Sequence, residues 1–180
     1  MPRHEEHREP TGAVVDGPEG PTIQIQRTLG HPPEDVWSYL ADPELLRWYG
    51  TYTGDPSSGS VQLAMVEAPE HPGECVIEVC ERPARLHVTL ADPNGNPWRL
   101  RVSLDRSASG AGTDTDLVFR QPLAGSKDEA GDVGPGWEYY LDRLTVALDG
   151  GDVDAVDFAD YYPAQKRHYS PDTPAAGVTA

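Results

Sequence analysis

Hydrophobic and polar positions follow two different periods along this chain, and these periods divide it into helices and strands. Residues 136–151 carry apolar side chains at the spacing of a helix, which predicts one long helix with a continuous apolar stripe. The stripe consists of Trp137, Tyr140, Leu141, Leu144 and Leu148. Residues 31–50 predict two short helices separated at Asp42–Pro43, because a proline cannot continue the first helix.

Between these helical segments, polarity alternates with the period of two that is typical of half-buried strands. Six segments show this pattern, at about residues 22–29, 61–65, 74–81, 85–90, 98–105 and 113–121. The sequence therefore predicts an α+β fold in which a curved antiparallel sheet of about six strands surrounds the long C-terminal helix. Two short helices would follow the first strand, and a pocket would lie between the sheet and the long helix.

Composition changes near both ends divide the chain into three parts. Residues 1–20 are charged and rich in proline and glycine, so we expect a disordered leader there. Residues 21–151 would form one folded domain, and residues 152–180 a tail. Phe158, Tyr161 and Tyr162 have helical spacing within the tail, which predicts that about residues 154–163 dock and that the end is disordered.

Charge and cysteine usage limit the partners and the compartment. Thirty acidic and fourteen basic residues give a net charge of −16, which repels phosphates and argues against nucleic acid or an anionic membrane as partner. The sequence shows neither a signal peptide nor an apolar run of 18 residues. Cys75 and Cys80 lie five residues apart in one strand, which predicts opposite faces and no disulfide between them. A cytoplasmic protein is expected.

Three segments, in this order, carry a family resemblance: PPEDVWSYLADPELLRWYG, EVCERPARLHVTL and GWEYYLDRLTVAL. The chain resembles the activator of heat-shock-protein ATPase homologue family, within the START-like (SRPBCC) superfamily, over about residues 22–150. The resemblance implies a helix-grip fold with a hydrophobic cavity, and functions that range from ligand binding to cyclisation. The family's eukaryotic co-chaperones carry an additional N-terminal chaperone-binding domain. Nothing in residues 1–20 resembles one, so a chaperone partner is not expected.

Six aromatic or apolar residues are candidates for the wall of this cavity. They are Trp48, Trp98, Phe119, Trp137, Tyr140 and Leu144. The same residues would serve equally well in a filled core, and the pattern leaves that alternative open. The leading hypothesis is non-covalent binding of a hydrophobic or aromatic small molecule, with the Tyr140 hydroxyl or a tryptophan indole orienting it.

Two alternatives belong to other functional classes, and the pattern leaves both open. In a cyclase or dehydratase, Tyr140, His87 or Arg101 would move protons inside the cavity. His87 alternates with Leu86 and Val88, however, which predicts that it faces solvent. In an interaction protein, the aromatic residues of the tail would form a homodimer contact.

Signatures of metal, cofactor and nucleophilic chemistry are weak. Asp114 and Asp116 point the same way on a strand, but no histidine or cysteine joins them at ligand spacing. The serines lack a G-x-S-x-G turn, and there is no glycine-rich phosphate loop. No metal, cofactor or catalytic residue is therefore assigned.

Overall fold

The computed structural model describes residues 8–91, 95–109, 112–124 and 127–170. Within these ranges, eight strands form one curved antiparallel sheet in the order β1-β2-β8-β7-β6-β5-β4-β3. The strands are β1 (Ala13–Gly17), β2 (Gly20–Leu29), β3 (Gly50–Thr53), β4 (Ser60–Met65), β5 (Gly73–Glu81), β6 (Arg85–Ala91), β7 (Pro97–Arg106) and β8 (Thr115–Pro122). The helices are α1 (Pro33–Ala41), α2 (Ala130–Leu148) and α3 (Lys166–Tyr169). The predicted α+β architecture is confirmed.

The sheet has two strands more than the six predicted. β3 is a short edge strand that pairs with β4 from Gly50↔Met65 to Thr53↔Gln62. The second predicted helix is reduced to a single 3-10 turn at Leu46–Trp48, and the chain then enters β3 directly. Four residues are too few to establish a visible alternation, so the period of two could not predict β3.

The other additional strand, β1, lies inside the segment predicted as a disordered leader. It pairs with β2 from Ala13↔Gln24 to Gly17↔Gly20. Pairing with a long neighbouring strand stabilises this segment, whose composition alone resembles a loop. Residues 1–7 of the predicted leader lie outside the described residues.

The core lies between the concave face of the sheet and the apolar stripe of α2. Ile23 and Ile25 of β2 and Leu144 of α2 are fully buried there. The helix begins at Ala130, earlier than the predicted Gly136. Glycines are poor helix formers, so Gly131 and Gly134 concealed this start in the sequence. No helix among the described residues is long and apolar enough to cross a membrane.

The tail packs against α2 as far as Ser170, and residues 171–180 lie outside the described residues. Tyr161 and Tyr169 are each only 1% exposed. Their hydroxyls donate to Asp142 and Glu138 of α2, respectively. The predicted docked segment, about 154–163, thus contains the first of these two anchors, and the second lies beyond it.

Glu138 also anchors the N-terminal segment. Its carboxylate, 1% exposed, accepts hydrogen bonds from Thr11 N at 2.7 Å, Gly12 N at 2.8 Å and Arg27 Nη2 at 2.6 Å. Arg27 Nη1 lies 3.1 Å from Asp142 Oδ1, so one guanidinium joins both carboxylates. The two carboxylates lie one helical turn apart and together hold both ends of the described chain.

Candidate functional site

A cavity of about 160 Å³ lies between the concave face of the sheet and α2. Among the described residues, every lining side chain is aliphatic, aromatic or cysteine, and none is charged. Most of the lining is buried, but Pro56 and Cys80 are exposed, which places the mouth of the cavity beside them. The site therefore has the chemistry of an apolar pocket.

Strand alternation explains why the sheet presents such a surface. Leu86, Val88 and Leu90 of β6 line the cavity, and so do Val102 and Leu100 of β7, which lie opposite Leu86 and Val88 in register. Because successive side chains point to opposite faces, the residues between them point away from the cavity. The polar positions of both strands are thereby excluded from the lining.

Three of the six candidate wall residues line the cavity, namely Trp48, Phe119 and Trp137. Phe119 and Trp137 pack closely, with ring centroids 4.2 Å apart. Trp48 reaches the cavity from the 3-10 turn that follows α1. The structure thus brings together one candidate each from the turn, β8 and α2.

The other three candidates, Trp98, Tyr140 and Leu144, lie outside the lining. Trp98 is half-buried on β7 opposite Leu90 and packs against the core. Leu144 is fully buried within the core, beyond the part of α2 that faces the cavity. Tyr140 packs edge-on behind Tyr49 and donates from its hydroxyl to Glu67 Oε2 at 2.5 Å. The apolar stripe of α2 is wider than the cavity, so only part of it contributes to the wall.

The indole and phenol groups of the lining are mostly engaged within the protein. Trp137 Nε1 donates to Gln121 Oε1 at 2.5 Å, and Trp48 Nε1 donates to the Tyr39 carbonyl at 2.8 Å. The Tyr52 hydroxyl donates to the Ala41 carbonyl at 2.6 Å. Tyr39 and Ala41 lie in the last turn of α1, whose carbonyls have no partner within the helix. Trp48 and Tyr52 therefore stabilise the end of α1.

Tyr49 is a lining residue that the sequence did not single out. Its ring stacks on Trp137 at 5.4 Å, and the residue is 5% exposed. Its hydroxyl is buried without a hydrogen-bond partner among the described residues. Burial raises the pKa of this phenol far above its usual range, and the nearby Cys75 thiol and Glu67 carboxylate raise it further. The group is therefore neutral at physiological pH.

Neither helical nor strand periodicity could identify Tyr49, because it directly follows Trp48. In a regular helix or strand, adjacent residues do not share a face. The 3-10 turn at Leu46–Trp48 and the entry into β3 turn both rings inward. The only signal in the sequence is two adjacent aromatic residues before a glycine, which does not specify an inward orientation.

Both cysteines line the cavity, which corrects the prediction that they lie on opposite faces. The pairing of β5 with β6 shifts between Ile77 and Val79, and this bulge adds one residue to β5. Cys80 therefore returns to the face of Cys75. Both thiols are free; Cys75 is buried and Cys80 is exposed. Burial raises the pKa of the Cys75 thiol from 9.0 to about 11.

The basic candidates for proton transfer lie on the opposite face of the sheet. Arg101 is 3.2 Å from His87 Nδ1 and pairs with Glu19 at 2.8 Å. The pKa of His87 lies below its usual value because of partial burial, with Arg101 and Arg85 adding to the effect. Neither His87 nor Arg101 lines the cavity.

Of the acidic pair considered for metal binding, Asp116 lies on β8, but Asp114 precedes the first residue of this strand, so the two do not share a strand face as predicted. Asp116 accepts a hydrogen bond from Thr28 Oγ1 at 2.8 Å on the strand that neighbours β8. Across the parts of the chain that the structure describes, no group of three or more metal-ligating side chains converges.

Comparison with known proteins gives both a family and structural neighbours. The family described as Activator of Hsp90 ATPase homolog 1-like protein matches residues 30–149. No curated protein matches the sequence.

The similar solved structures share the fold at low identity. CalU16 from Micromonospora echinospora is 24% identical, with 87% of this chain and 93% of that chain covered and a TM-score of 0.64. The protein encoded by gene BPP1335 of Bordetella parapertussis is 23% identical, with 94% of both chains covered and a TM-score of 0.67. DynU16, from the dynemicin biosynthetic locus, is 18% identical, with 79% of this chain and 50% of that chain covered and a TM-score of 0.60.

The family match spans more than half of the chain, and the sheet curved around α2 is the helix-grip arrangement that the sequence segments predict. The chain belongs to the Activator of Hsp90 ATPase homolog 1-like family, within the START-like superfamily.

Proposed function

We propose that this protein binds a small hydrophobic or aromatic molecule, non-covalently, in the cavity between the sheet and α2. The observation that carries the proposal is an unfilled volume of about 160 Å³ with an apolar lining. Protein interiors are usually close-packed, so an open volume of this size is unfavourable unless it has a use. An engineered cavity of about 150 Å³ in another protein accepts benzene, which sets the scale of the ligand at about one ring.

The expected affinity for a simple ring is modest. Burying apolar surface contributes about 25 cal/mol per Å², and losing rotational and translational freedom offsets much of this gain. For a molecule the size of toluene, we expect a dissociation constant on the order of 0.1–1 mM. A natural ligand that uses polar contacts in addition would bind more tightly.

The test compares toluene binding by three proteins, measured by calorimetry and by the thermal unfolding midpoint. The wild type should bind toluene. Val88→Phe places a ring in the cavity, because Val88 lines it, and should abolish binding without lowering stability. Val76→Phe is the matched control, since Val76 is 39% exposed on the other face of β5 and lies outside the lining. It should bind like the wild type.

Failure of the wild type to bind toluene or any other ring-sized apolar molecule would overturn the proposal. Binding that survives Val88→Phe would place the site elsewhere on the molecule. Native mass spectrometry of the protein from its own host would then identify an occupant by mass, as an adduct that is lost on denaturation.

The two alternative functions have less support. For the cyclase or dehydratase, His87 and Arg101 lie on the outer face, and the Tyr140 hydroxyl is engaged by Glu67 outside the lining. For the tail-mediated dimer, Tyr161 is buried against the protein's own α2, and Phe158, 42% exposed, is the most exposed of the three aromatic residues predicted to form the contact. Of the three functions, ligand binding is the one that the residues lining the cavity support directly.

A further inference from the structure

We infer that the ligand of the cavity is a slim amphiphile, with a hydrocarbon body inside the cavity and one polar end group that stays at the mouth beside Cys80. This inference rests on the proposed function and specifies the class of ligand and the direction in which it binds. It predicts that a polar group in the middle of the ligand weakens binding, whereas one at the end does not.

The cavity runs along the strands from an open end to a closed end. At the open end, the exposed Cys80 of β5 lies opposite Leu86 of β6, which lies opposite Val102 of β7, and the last two are half-buried. At the closed end, Cys75 lies opposite Leu90, and both are buried. All five residues line the cavity.

The register of these residues gives the length of the cavity. Leu86 and Leu90 lie four residues apart on β6, which separates the two ends by about 13 Å at about 3.3 Å per residue. A volume of about 160 Å³ spread over this length is narrow. Its shape fits a ring that carries a short chain better than a wider, compact molecule.

Inside the cavity, a polar group of the ligand finds no N–H or O–H donor among the described side chains. The lining residues with nitrogen or oxygen in their side chains are Trp48, Tyr49, Tyr52 and Trp137. Both indoles and the Tyr52 hydroxyl donate to acceptors of the protein. The Tyr49 hydroxyl oxygen is enclosed by protein atoms, so it is out of reach of a ligand. A ligand oxygen or nitrogen held here would lose its hydration without replacement.

At the mouth, a polar group keeps its contact with water. Cys80 and Pro56 line the cavity and are exposed, so an end group beside them remains hydrated. Burial of the hydrocarbon body and hydration of the end group are both achieved when the body enters first. The distribution of polarity in the cavity therefore selects one orientation of the ligand.

The first experiment compares two isomeric alcohols by calorimetry. 4-Phenyl-1-butanol carries its hydroxyl at the end of the chain, and 1-phenyl-2-butanol carries it in the middle. The second isomer buries its hydroxyl in either orientation, so we expect it to bind about tenfold more weakly to the wild type. Equal affinities of the two isomers would contradict the inference.

The second experiment locates the end group with charge. 4-Phenylbutyrate and 4-phenylbutylamine have equal length and opposite charge, and both are titrated at low ionic strength because salt screens the interaction. Cys80→Lys places an ammonium at the mouth, where its long chain can reach water. Relative to the wild type, it should tighten phenylbutyrate binding about fivefold and weaken phenylbutylamine binding about fivefold.

Val76→Lys is the matched control for this variant. It changes the net charge by the same amount on the same strand, but Val76 is 39% exposed on the other face and lies outside the lining. Both probes should bind it within about twofold of the wild type. Equal effects of the two lysines would show that the charged end does not lie beside Cys80.

A third measurement needs only the wild type, so it decides the matter even if Cys80→Lys does not fold. Bound 4-phenyl-1-butanol should slow the alkylation of Cys80 by iodoacetamide about fivefold, because its end group lies beside the thiol. Bound toluene should slow it less than about twofold, because toluene leaves the mouth open. Peptide mass spectrometry measures the alkylation at Cys80. The same rate with and without 4-phenyl-1-butanol would overturn the inference.

The outcomes separate this inference from the proposed function. If neither toluene nor any phenylbutyl probe binds the wild type, the proposed function fails and the inference fails with it. If toluene binds but the phenylbutyl probes do not, or if they bind without an effect at Cys80, the inference fails and the proposed function stands.

Discussion

Individual side chains of the cavity differ in exposure to solvent even though they share one apolar surface. Cys75 and Cys80 lie on the same strand and the same face, but one is buried and the other lies at the mouth. A thiol reacts as its thiolate, and burial disfavours the charged form. We therefore expect the two thiols to form thiolates to different extents, because they differ in burial.

We expect one thiol per native chain to react quickly with Ellman's reagent at pH 8. The pKa of Cys75 rises from 9.0 to about 11, so its thiolate fraction is about 100-fold lower than that of an ordinary thiol. Cys80→Ser should remove the fast reaction, and Cys75→Ser should leave it intact. Equal rates for the two thiols in the native protein would contradict the assigned burial.

The same shift predicts a dependence of stability on pH. The folded-state pKa of Cys75 lies above its unfolded value of 9.0, so the neutral thiol favours folding at low pH. This contribution is complete below about pH 9 and is lost as the pH rises through about 11. Urea unfolding of the wild type should therefore lose more stability across this window than unfolding of Cys75→Ala.

At the scale of elements, α2 connects the cavity to the rest of the molecule through three faces. Trp137 and Leu141 form part of the cavity wall. Arg143, 4% exposed, donates from Nε to the Trp48 carbonyl and from Nη1 to the Val153 carbonyl, both at 2.9 Å. The carboxylate face of α2 holds the N-terminal segment and the tail. One helix therefore contacts the cavity, the turn that carries Trp48 and both ends of the described chain.

Glu138→Gln tests the carboxylate face. Five donor groups converge on the two oxygens of Glu138, from Thr11, Gly12, Arg27 and Tyr169. A glutamine would turn its own N–H groups toward some of them, so we expect the free energy of unfolding to fall by about 2–4 kcal/mol. Urea unfolding measures the change.

The control is Glu129→Gln, at an exposed position just before α2. This variant should stay within about 0.5 kcal/mol of the wild type. If Glu138→Gln were equally mild, the carboxylate would not hold the two chain segments as described.

At the scale of the whole molecule, chain segments distant in sequence complete the domain. The tail places Tyr169 over Gly134, where a Cβ atom would collide with the tyrosine ring. Gly12 makes a similar close approach to Tyr169 from the N-terminal side. The family match covers residues 30–149 and therefore includes neither Gly12 of the N-terminal segment nor Tyr169 of the tail. The first strand and the tail are thus integral parts of this protein's packing.

Gly134→Ala and Gly136→Ala form a matched pair on α2. At Gly136 a Cβ atom would meet no described atom outside its own helix within 4 Å, so the substitution should raise stability by about 0.5–1 kcal/mol through helix propensity. Gly134→Ala should lower stability by about 1–3 kcal/mol, because the tail must move to admit the methyl group. Thermal unfolding distinguishes the two, and a stabilised Gly134→Ala would show that the tail is not tightly docked.

Local patterns were sufficient to predict much of the fold. The stripe from Trp137 to Leu148 specifies the long helix, Pro43 limits α1, and the period of two specifies six strands of the sheet. These features depend on residues within a few positions of each other, because side-chain direction repeats with the local backbone.

Contacts between distant residues decided the remainder. The strand β1 depends on pairing with β2, and the return of Cys80 to the inner face depends on a bulge against β6. The hydroxyl of Tyr49 is buried without a hydrogen-bond partner in the described parts of the chain, because its ring packs on Trp137, far along the chain. Periodicity reports which face a residue occupies but not which neighbours meet it there, and hydrogen-bond satisfaction and cavity volume depend on those neighbours.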